Sequence, residues 1–364
     1  MSVDRLLPVT ITVIATSCLV MVTLIVLAKI RHRRIVAKSR KLLAIYRHAL
    51  IAIASDEDDG QQAKAFLSAV SGPIWKRLRS HVVAFLPKVR GTAADDLGEL
   101  LRIHGEIDRA IKMLTSRSGV RRARGAYLLG MVRDPNLAVT LVPLLEDRDP
   151  DVRQVAARAL GEIGESSAAN GILRALHTTG GRIGLPNWVA VEALLAMGAK
   201  IAPTLEIGLK SNFAAVRNVC AQVAGHGTFF AVAPQLRILL DSDSASAVRK
   251  SAAMALGRVG DATEVEVLAR NTNSAGSAEL RRICASSLGD LGRREGVNTL
   301  AELLGDGDRR LAQISADSMV RLGSDGLIKL LEVAVGHSPS AQVARGALEL
   351  AELRGQLIQG PEGA

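Results

Sequence analysis

Cysteine is scarce. The 364 residues hold three, Cys18, Cys220 and Cys284, too few and too scattered for a disulfide framework. The seven histidines (His32, His48, His81, His104, His177, His226 and His337) show no spacing that suits a metal ion. No GxxxxGK[ST] phosphate loop, no HExxH helix and no GxSxG elbow occurs. With them go the phosphate cradle, the zinc-hydrolase helix and the serine nucleophile. No residue is left as a candidate for catalysis, for a cofactor or for a metal, and the expectation is a protein that is not an enzyme. Aromatic residues make up only 2% of the chain, so any that stands on a surface is conspicuous.

Acidic residues are also outnumbered: 36 Asp and Glu stand against 46 Lys and Arg, a formal net charge of +10. Such an excess suggests a nucleic-acid partner until it is mapped along the chain. Residues 1–54 carry +8, residues 55–75 carry −3, residues 76–124 carry +7 and residues 125–364 carry −2. The main body has no basic stripe of the kind a nucleic-acid binder needs, so no nucleic acid is expected. Positive charge gathers toward the amino terminus, where anionic lipid headgroups would attract it.

One long hydrophobic run is present. Leu6 to Ala28 (LLPVTITVIATSCLVMVTLIVLA) is 23 residues without a charge, and at about 1.5 Å per residue it is long enough to cross a hydrocarbon layer. Asp4 and Arg5 precede it; Lys29, Arg31, Arg33, Arg34, Lys38, Arg40 and Lys41 come after it. The positive-inside rule then puts the carboxyl side in the cytoplasm and a very short tail outside, as a single-pass protein of the inner membrane, with anionic headgroups near residues 29–41. A cleaved secretory signal would have a shorter core and a small-residue cleavage motif. ATSC at Ala15 to Cys18 resembles a lipoprotein box, but cleavage there would leave ten apolar residues, Leu19 to Ala28, behind the lipid. Between Arg34 and Asp56 the dense apolar residues of VAKSRKLLAIYRHALIAIAS fit a helix that either caps the main body of the chain or lies on the membrane surface.

The rest of the chain repeats itself. DPDVRQVAARALGEIG at Asp149 to Gly164 has echoes whose opening residues fall at 89, 121, 152, 186, 216, 248, 280, 311 and 343, steps of 30 to 34 residues. In the copy at Val152, the residues Val152, Val155, Ala156, Ala159, Leu160 and Ile163 keep helical spacing, giving an amphipathic helix with a narrow apolar face. Alanine recurs on that face (Ala93, Ala156, Ala252), with Cys220 and Cys284 as its substitutes. Those two cysteines lie two repeats apart, beyond the reach of a disulfide. Gly164, Gly198, Gly260, Gly292 and Gly323 mark helix ends where a left-handed residue is wanted. A second apolar segment precedes each phrase, as in Leu137 to Leu145, Val232 to Leu240 and Val297 to Leu304, and leads into an aspartate-rich turn able to cap the next helix. A two-helix unit of this size cannot bury both faces alone, so its copies must stack.

These phrases resemble the HEAT-repeat family, in the variant whose HEAT-like repeats also occur in bilin lyases, from about Val89 to Gly355. The resemblance implies an all-α fold, a right-handed α-solenoid of about nine to ten helix pairs, behind the transmembrane helix. The organisation expected is a tail (1–5), the span (6–28), a basic juxtamembrane helix and acidic turn (29–60), the solenoid (61–355) and a flexible tail (356–364). Some HEAT-repeat hydroxylases hold di-iron on His-Glu pairs, and no His-Glu dipeptide occurs here. The arginine at the second place of the phrase (Arg90, Arg122, Arg153, Arg217, Arg249, Arg281) is expected to form a structural ladder with turn aspartates such as Asp149, Asp151, Asp241 or Asp243.

One copy departs from the rule. At the third place the others carry Gln154, Asn218, Lys250, Arg282, Gln313 or Arg345, a solvent register, whereas this copy has Trp188. It also has the longest step and a glycine-rich insertion, TGGRIGLPN, from Thr179 to Asn187. Either Trp188 is exposed and forms a binding hot spot with Arg182 and Asn187, extended by Phe213, Phe229 and Phe230, or the insertion buries it. The function expected is a membrane-anchored cytoplasmic scaffold holding a protein partner, such as an integral-membrane enzyme or an envelope assembly for polysaccharide synthesis. A HEAT-like lyase and a module sensing a ligand or phosphoprotein are the alternatives.

Overall fold

In the computed structural model the described residues are 60–177, 184–273 and 277–355, with scattered positions between 16 and 55. They are helical throughout, with no strand among them, and fall into two compact units, Met1–Arg109 and Ala110–Ala364. Most of the expected span over 6–28, most of the basic segment 29–41, the insertion residues 178–183 and the tail 356–364 lie outside the described residues. Among the described residues no single helix is long and apolar enough to cross a membrane.

The first unit holds α1 (Gly60–Ser68), α2 (Gly72–Phe85), α3 (Thr92–Ile103) and the start of α4 (Glu106–Leu114). Pro73 sits in the first turn of α2, where its missing N–H is harmless. That helix buries Trp75, Leu78 and Val82 at helical spacing. Trp75 lies flat on His104, ring centroids 3.5 Å apart, and its indole N–H donates to the buried Glu106 at 3.0 Å. Arg79 and Arg109 also reach the Glu106 carboxylate, so this buried charge is compensated on three sides. Lys64 pairs with Asp96 at 2.7 Å, tying α1 to α3. In the stretch before α1, Leu50, Ala52 and Ile53 are buried. Arg90 does not join a ladder: it stands exposed in the link before α3 and donates to the carbonyl of its neighbour Val89, because the helix of this copy starts only at Thr92.

The second unit continues with α5 (Gly119–Val132), α6 (Ala138–Leu141), α7 (Pro150–Ile163), α8 (Ala169–Arg174), α9 (Asn187–Ala196), α10 (Ala202–Leu209), α11 (Ala214–His226), α12 (Ala233–Ser242), α13 (Ser246–Val259), α14 (Ala262–Thr272), α15 (Ala278–Leu291), α16 (Val297–Leu303), α17 (Arg309–Arg321), α18 (Ser324–Ala334) and α19 (Pro339–Leu353). The odd-numbered helices from α5 carry the repeated phrase, and neighbours among them pack side by side. The segment around Leu137 to Leu145 is not one helix. It breaks into 3-10 turns on either side of α6, because Pro143 offers no N–H and its ring crowds the carbonyl a turn earlier. The apolar pair α9 and α10 meets at a 119° bend and buries Val189, Leu194, Ile201, Leu205 and Leu209, the pattern of a solenoid pair turned on its own core.

Helix α7 shows how the phrase works. The Asp149 side chain accepts from the Asp151 N–H, Pro150 opens the first turn, and Gly164 ends the helix with φ 73°. Gly260 differs from the expectation: its φ is −75° and its backbone is extended. Asp261 begins α14 at once there, through a capping box with Glu264, so the chain has no room for a left-handed turn. A second glycine, at the tenth place of the phrase, sets the spacing between helices. A Cβ on Gly161 would stand 2.7 Å from the Ala193 carbonyl oxygen, and one on Gly257 would stand 2.9 Å from the Ser287 Cα. Gly130, Gly225 and Gly289 meet Ala159, Ala255 and Ser318 in the same way. Cys220 and Cys284 are unpaired and fully buried, and burial pushes both thiols up to about 12.

Candidate protein-binding surface

At one end of the second helices an arginine clamp recurs. Arg122 grips the Asp147 carboxylate with two hydrogen bonds, 2.7 and 2.6 Å, and donates to the Ser116 carbonyl at 2.8 Å. Arg217 does the same with Asp243, at 2.6 and 2.9 Å, and with the Ser211 carbonyl at 2.7 Å. Arg281 pairs with Asp306 and donates to the Thr272 carbonyl at 2.6 Å. Each of these aspartates also accepts, at 2.8 Å, the N–H two residues on, from Asp149, Ala245 and Asp308. One carboxylate therefore shapes the turn before a helix and holds the arginine of the previous repeat.

Burial alone would raise the Asp147 and Asp243 carboxyls, but the arginine and turn N–H bonds outweigh it and both sit below the ordinary aspartate range. The Asp308 N–H and Arg281 lower Asp306 likewise. Arg153 reaches the Asp147 and Arg148 carbonyls, and Arg249 reaches the Leu240 carbonyl and the Asn271 amide. Of the other aspartates expected in the ladder, Asp149 caps α7 and Asp241 holds Arg270 and Asn271.

The α9 repeat lacks the clamp on both sides. Asn187, exposed at the start of α9, replaces the arginine. Gly181 and Ser211 occupy the places that Asp147 and Asp243 hold elsewhere in the repeat. The Ser211 hydroxyl still accepts the Phe213 N–H at 3.2 Å, which preserves the turn but offers no charge to an arginine.

Trp188 is 59% exposed. The Arg158 guanidinium of α7 lies over its ring, 5.0 Å from the centroid, and also pairs with Glu192 at 3.1 Å. Arg158 and Glu192 border a groove of about 340 Å³ across α5, α7 and α9, together with Tyr127, Met131, Glu162 and Ala196. Tyr127 is exposed as well, so the groove is flanked by aromatic surface at α5 and at α9. Tyr127, Arg158 and Glu192 all stand at the seventh place of the phrase. That register is present in the sequence, but the third place, where Trp188 stands out, does not reveal it.

Phe213, 55% exposed at the start of α11, tilts against His177 with centroids 3.7 Å apart. Phe229 and Phe230 do not extend this surface. They lie past the far end of α11, about 20 Å from Phe213 along a 13-residue helix, with Phe229 half-buried over Gly227 and Phe230 exposed. Arg182 lies outside the described residues, as do Arg31, Arg33, Arg34, Lys38, Arg40 and Lys41; Lys29 is exposed. Among the described residues no group of three His, Cys, Asp or Glu is placed to hold a metal ion.

Stacked helix pairs with a repeated second helix define a helical-repeat protein, all-helical over the described residues. The family profile for HEAT repeats matches residues 107–183. Among solved structures, the chain is similar to the complex of CpcE and CpcF of phycocyanin lyase from Nostoc sp. PCC7120, at 19% identity and TM-score 0.32 over 62% of this chain and 92% of that one. It is also similar to human deoxyhypusine hydroxylase, at 19% identity and TM-score 0.29 over 85% and 98% of the two chains. Kap95p, solved bound to RanGDP, is 13% identical with TM-score 0.49 over 88% of this chain and 49% of its own. No curated protein matches the chain. At these scores none of the similar structures bears on what this chain does.

Proposed function

We propose that this chain is a membrane-tethered, non-enzymatic scaffold, whose cytoplasmic repeats hold a protein partner against the α5–α7–α9 face. The observation that carries the reading is Trp188: a large ring left in solvent, backed by Arg158 and set beside a groove, in a chain with few aromatics. Exposed tryptophan and arginine beside a groove are the side chains that supply most binding energy at protein interfaces. The amino-terminal run supports the tether. Its described residues are helical, and Val20, Met21, Val22, Leu24, Val26 and Leu27 are exposed, an apolar surface suited to lipid.

A tether suits a modest binder, because confinement to the membrane raises its effective concentration around a membrane partner. The partner class that fits is an integral-membrane enzyme or an envelope assembly such as that of polysaccharide synthesis. Purification of the full chain in mild detergent, combined with mass spectrometry, should recover a stoichiometric membrane protein, and Trp188→Ala should weaken its recovery at least about tenfold. Unchanged recovery removes Trp188 from the interface. Reporter fusions at the carboxyl end should read as cytoplasmic, and a periplasmic reading overturns the topology.

A further inference from the structure

The repeat without the clamp opens a second cavity, between α8 and α10. It measures about 780 Å³ and is lined by Asn170, Arg174, His177, Ile207, Lys210 and Phe213, among others. Its charged lining is cationic. Arg174 projects exposed from the last turn of α8 and makes no ion pair with a described residue. Lys210 stands just past α10 and is held only by Glu206, one turn back, at 3.1 Å, with both side chains more than half exposed. Pairs of that kind contribute little and yield to a competing carboxylate.

At the turn place where Asp147, Asp243 and Asp306 stand in three other copies, the sequence here has Gly181 and Ser211, so the turns add no carboxylate beside these cations. The cavity also has an apolar flank, since Ile207 is 68% exposed and Phe213 is 55% exposed. The amides of Asn170 and Asn212, both exposed on its lining, offer donors and acceptors to a passing backbone. A small anion would satisfy the cations and leave the apolar flank and the amides unused.

We propose that this cavity docks an extended, acidic segment of a partner protein, with carboxylates on Arg174 and Lys210 and an apolar side chain against Phe213 and Ile207. The proposal rests on the reading of the chain as a protein-binding scaffold, and adds a second contact with stated chemistry. The steering that the carboxylates provide is electrostatic and weakened by salt.

The test is selection of a phage-displayed library of random dodecapeptides on the full chain held in lipid nanodiscs. Recovered peptides should be enriched in Asp and Glu around an apolar residue. A synthetic peptide of the recovered consensus should bind about tenfold more weakly or worse to Arg174→Glu, to Arg174→Gln and to Lys210→Glu, each with an unchanged circular dichroism spectrum. Phe213→Ala should weaken it as well. Recovery of peptides with no acidic excess, no enrichment at all, or the same peptides from the Arg174→Glu chain overturns the proposal. Trp188→Ala should select the same acidic peptides even as it loses its membrane partner; if it is the change that abolishes them, the acidic segment belongs to the α5–α7–α9 groove and not here. Failure of the partner recovery alone, with acidic peptides retained, would remove the Trp188 reading and leave this cavity standing.

Discussion

From α11 to α17 successive second helices approach through glycine and two of the three junctions are also clamped, whereas between α9 and α11 both devices are missing. The exception in the regular stretch is α13–α15, where Ala275 stands at the aspartate place and Arg249 meets Asn271. In the regular stretch, Gly225, Gly257 and Gly289 let the next helix approach to backbone contact, and Arg217 with Asp243 and Arg281 with Asp306 clamp the turns. At the irregular junction Leu195 stands at the glycine place and Val223 at the alanine place, while Asn187 and Ser211 replace the clamp. Phe213 and the cavity with cationic lining fall at this junction, whereas Trp188 lies under Arg158 on the α7–α9 side, where Gly161 still meets Ala193. The chain thus relaxes its packing rules where the cavity opens, while the α5–α7–α9 groove is carried by helices that keep the glycine approach.

Removing one clamp should destabilise the regular stretch most. Asp243 is almost completely buried and Arg217 nearly so, so Asp243→Ala leaves an arginine without its charge partner and a turn N–H without its acceptor. The expected loss is about 3 kcal/mol, read from urea unfolding monitored by circular dichroism, whereas Ser211→Ala at the irregular junction should change stability by less than about 1 kcal/mol.

The same pair predicts a pH dependence. Asp147, Asp243 and Asp306 are all held below the ordinary aspartate range in the folded chain. Their stabilisation is therefore complete above about pH 4, the unfolded value, and is lost as pH falls through the lower folded values. Melting temperature should drop on acidification below about pH 4, and the drop should be shallower in Asp243→Asn, which has already lost its share.

Gly257→Val tests the other device. Its Cβ would meet the Ser287 backbone, which cannot move aside as a flexible side-chain tip could. The expected destabilisation is about 1–3 kcal/mol. A loss below about 0.5 kcal/mol would show that the helices are not held at this spacing by glycine.

Much of the repeat is legible in the sequence, for a definite reason. The period of the phrase, the caps at Asp149 and Gly164 and the buried alanines are local, and each repeat restates them. The oddity of Trp188 stands out against the same period. The arginine clamp is legible in outline, but its partners depend on contacts some 25 residues away, so nothing local distinguishes Asp147 and Asp306 as its acceptors, while Asp149 proves to be a cap. The buried network of Trp75, His104 and Glu106 leaves no trace in the repeat pattern, because it joins residues of different helices outside the phrase. The expectation for Phe229 and Phe230 fails on length: neighbouring phrases look close in sequence, yet the two ends of α11 are far apart.

The missing clamp can also be put back. Asn187→Arg combined with Ser211→Asp restores the clamp residues at the irregular junction, and a double-mutant cycle should return a favourable coupling of about 0.5–1 kcal/mol. No coupling would mean that the chain there is set too far apart for the clamp to close.

The smallest effect expected on stability belongs to Trp188, and it separates the two regions most clearly. Its ring is mostly in solvent, and the cation over its face is the half-exposed Arg158. Exposed cation–π contacts contribute about 0.5–1 kcal/mol, so Trp188→Ala should lower stability by no more than that in the urea titration used for Asp243→Ala. If binding falls tenfold while stability barely moves, Trp188 is held in the open for a partner, and the contrast with the clamp stands. A loss of about 3 kcal/mol, the size expected for a broken buried pair, would instead make Trp188 part of what holds α7 to α9, and the irregular repeat would then be a packing variant of the regular ones.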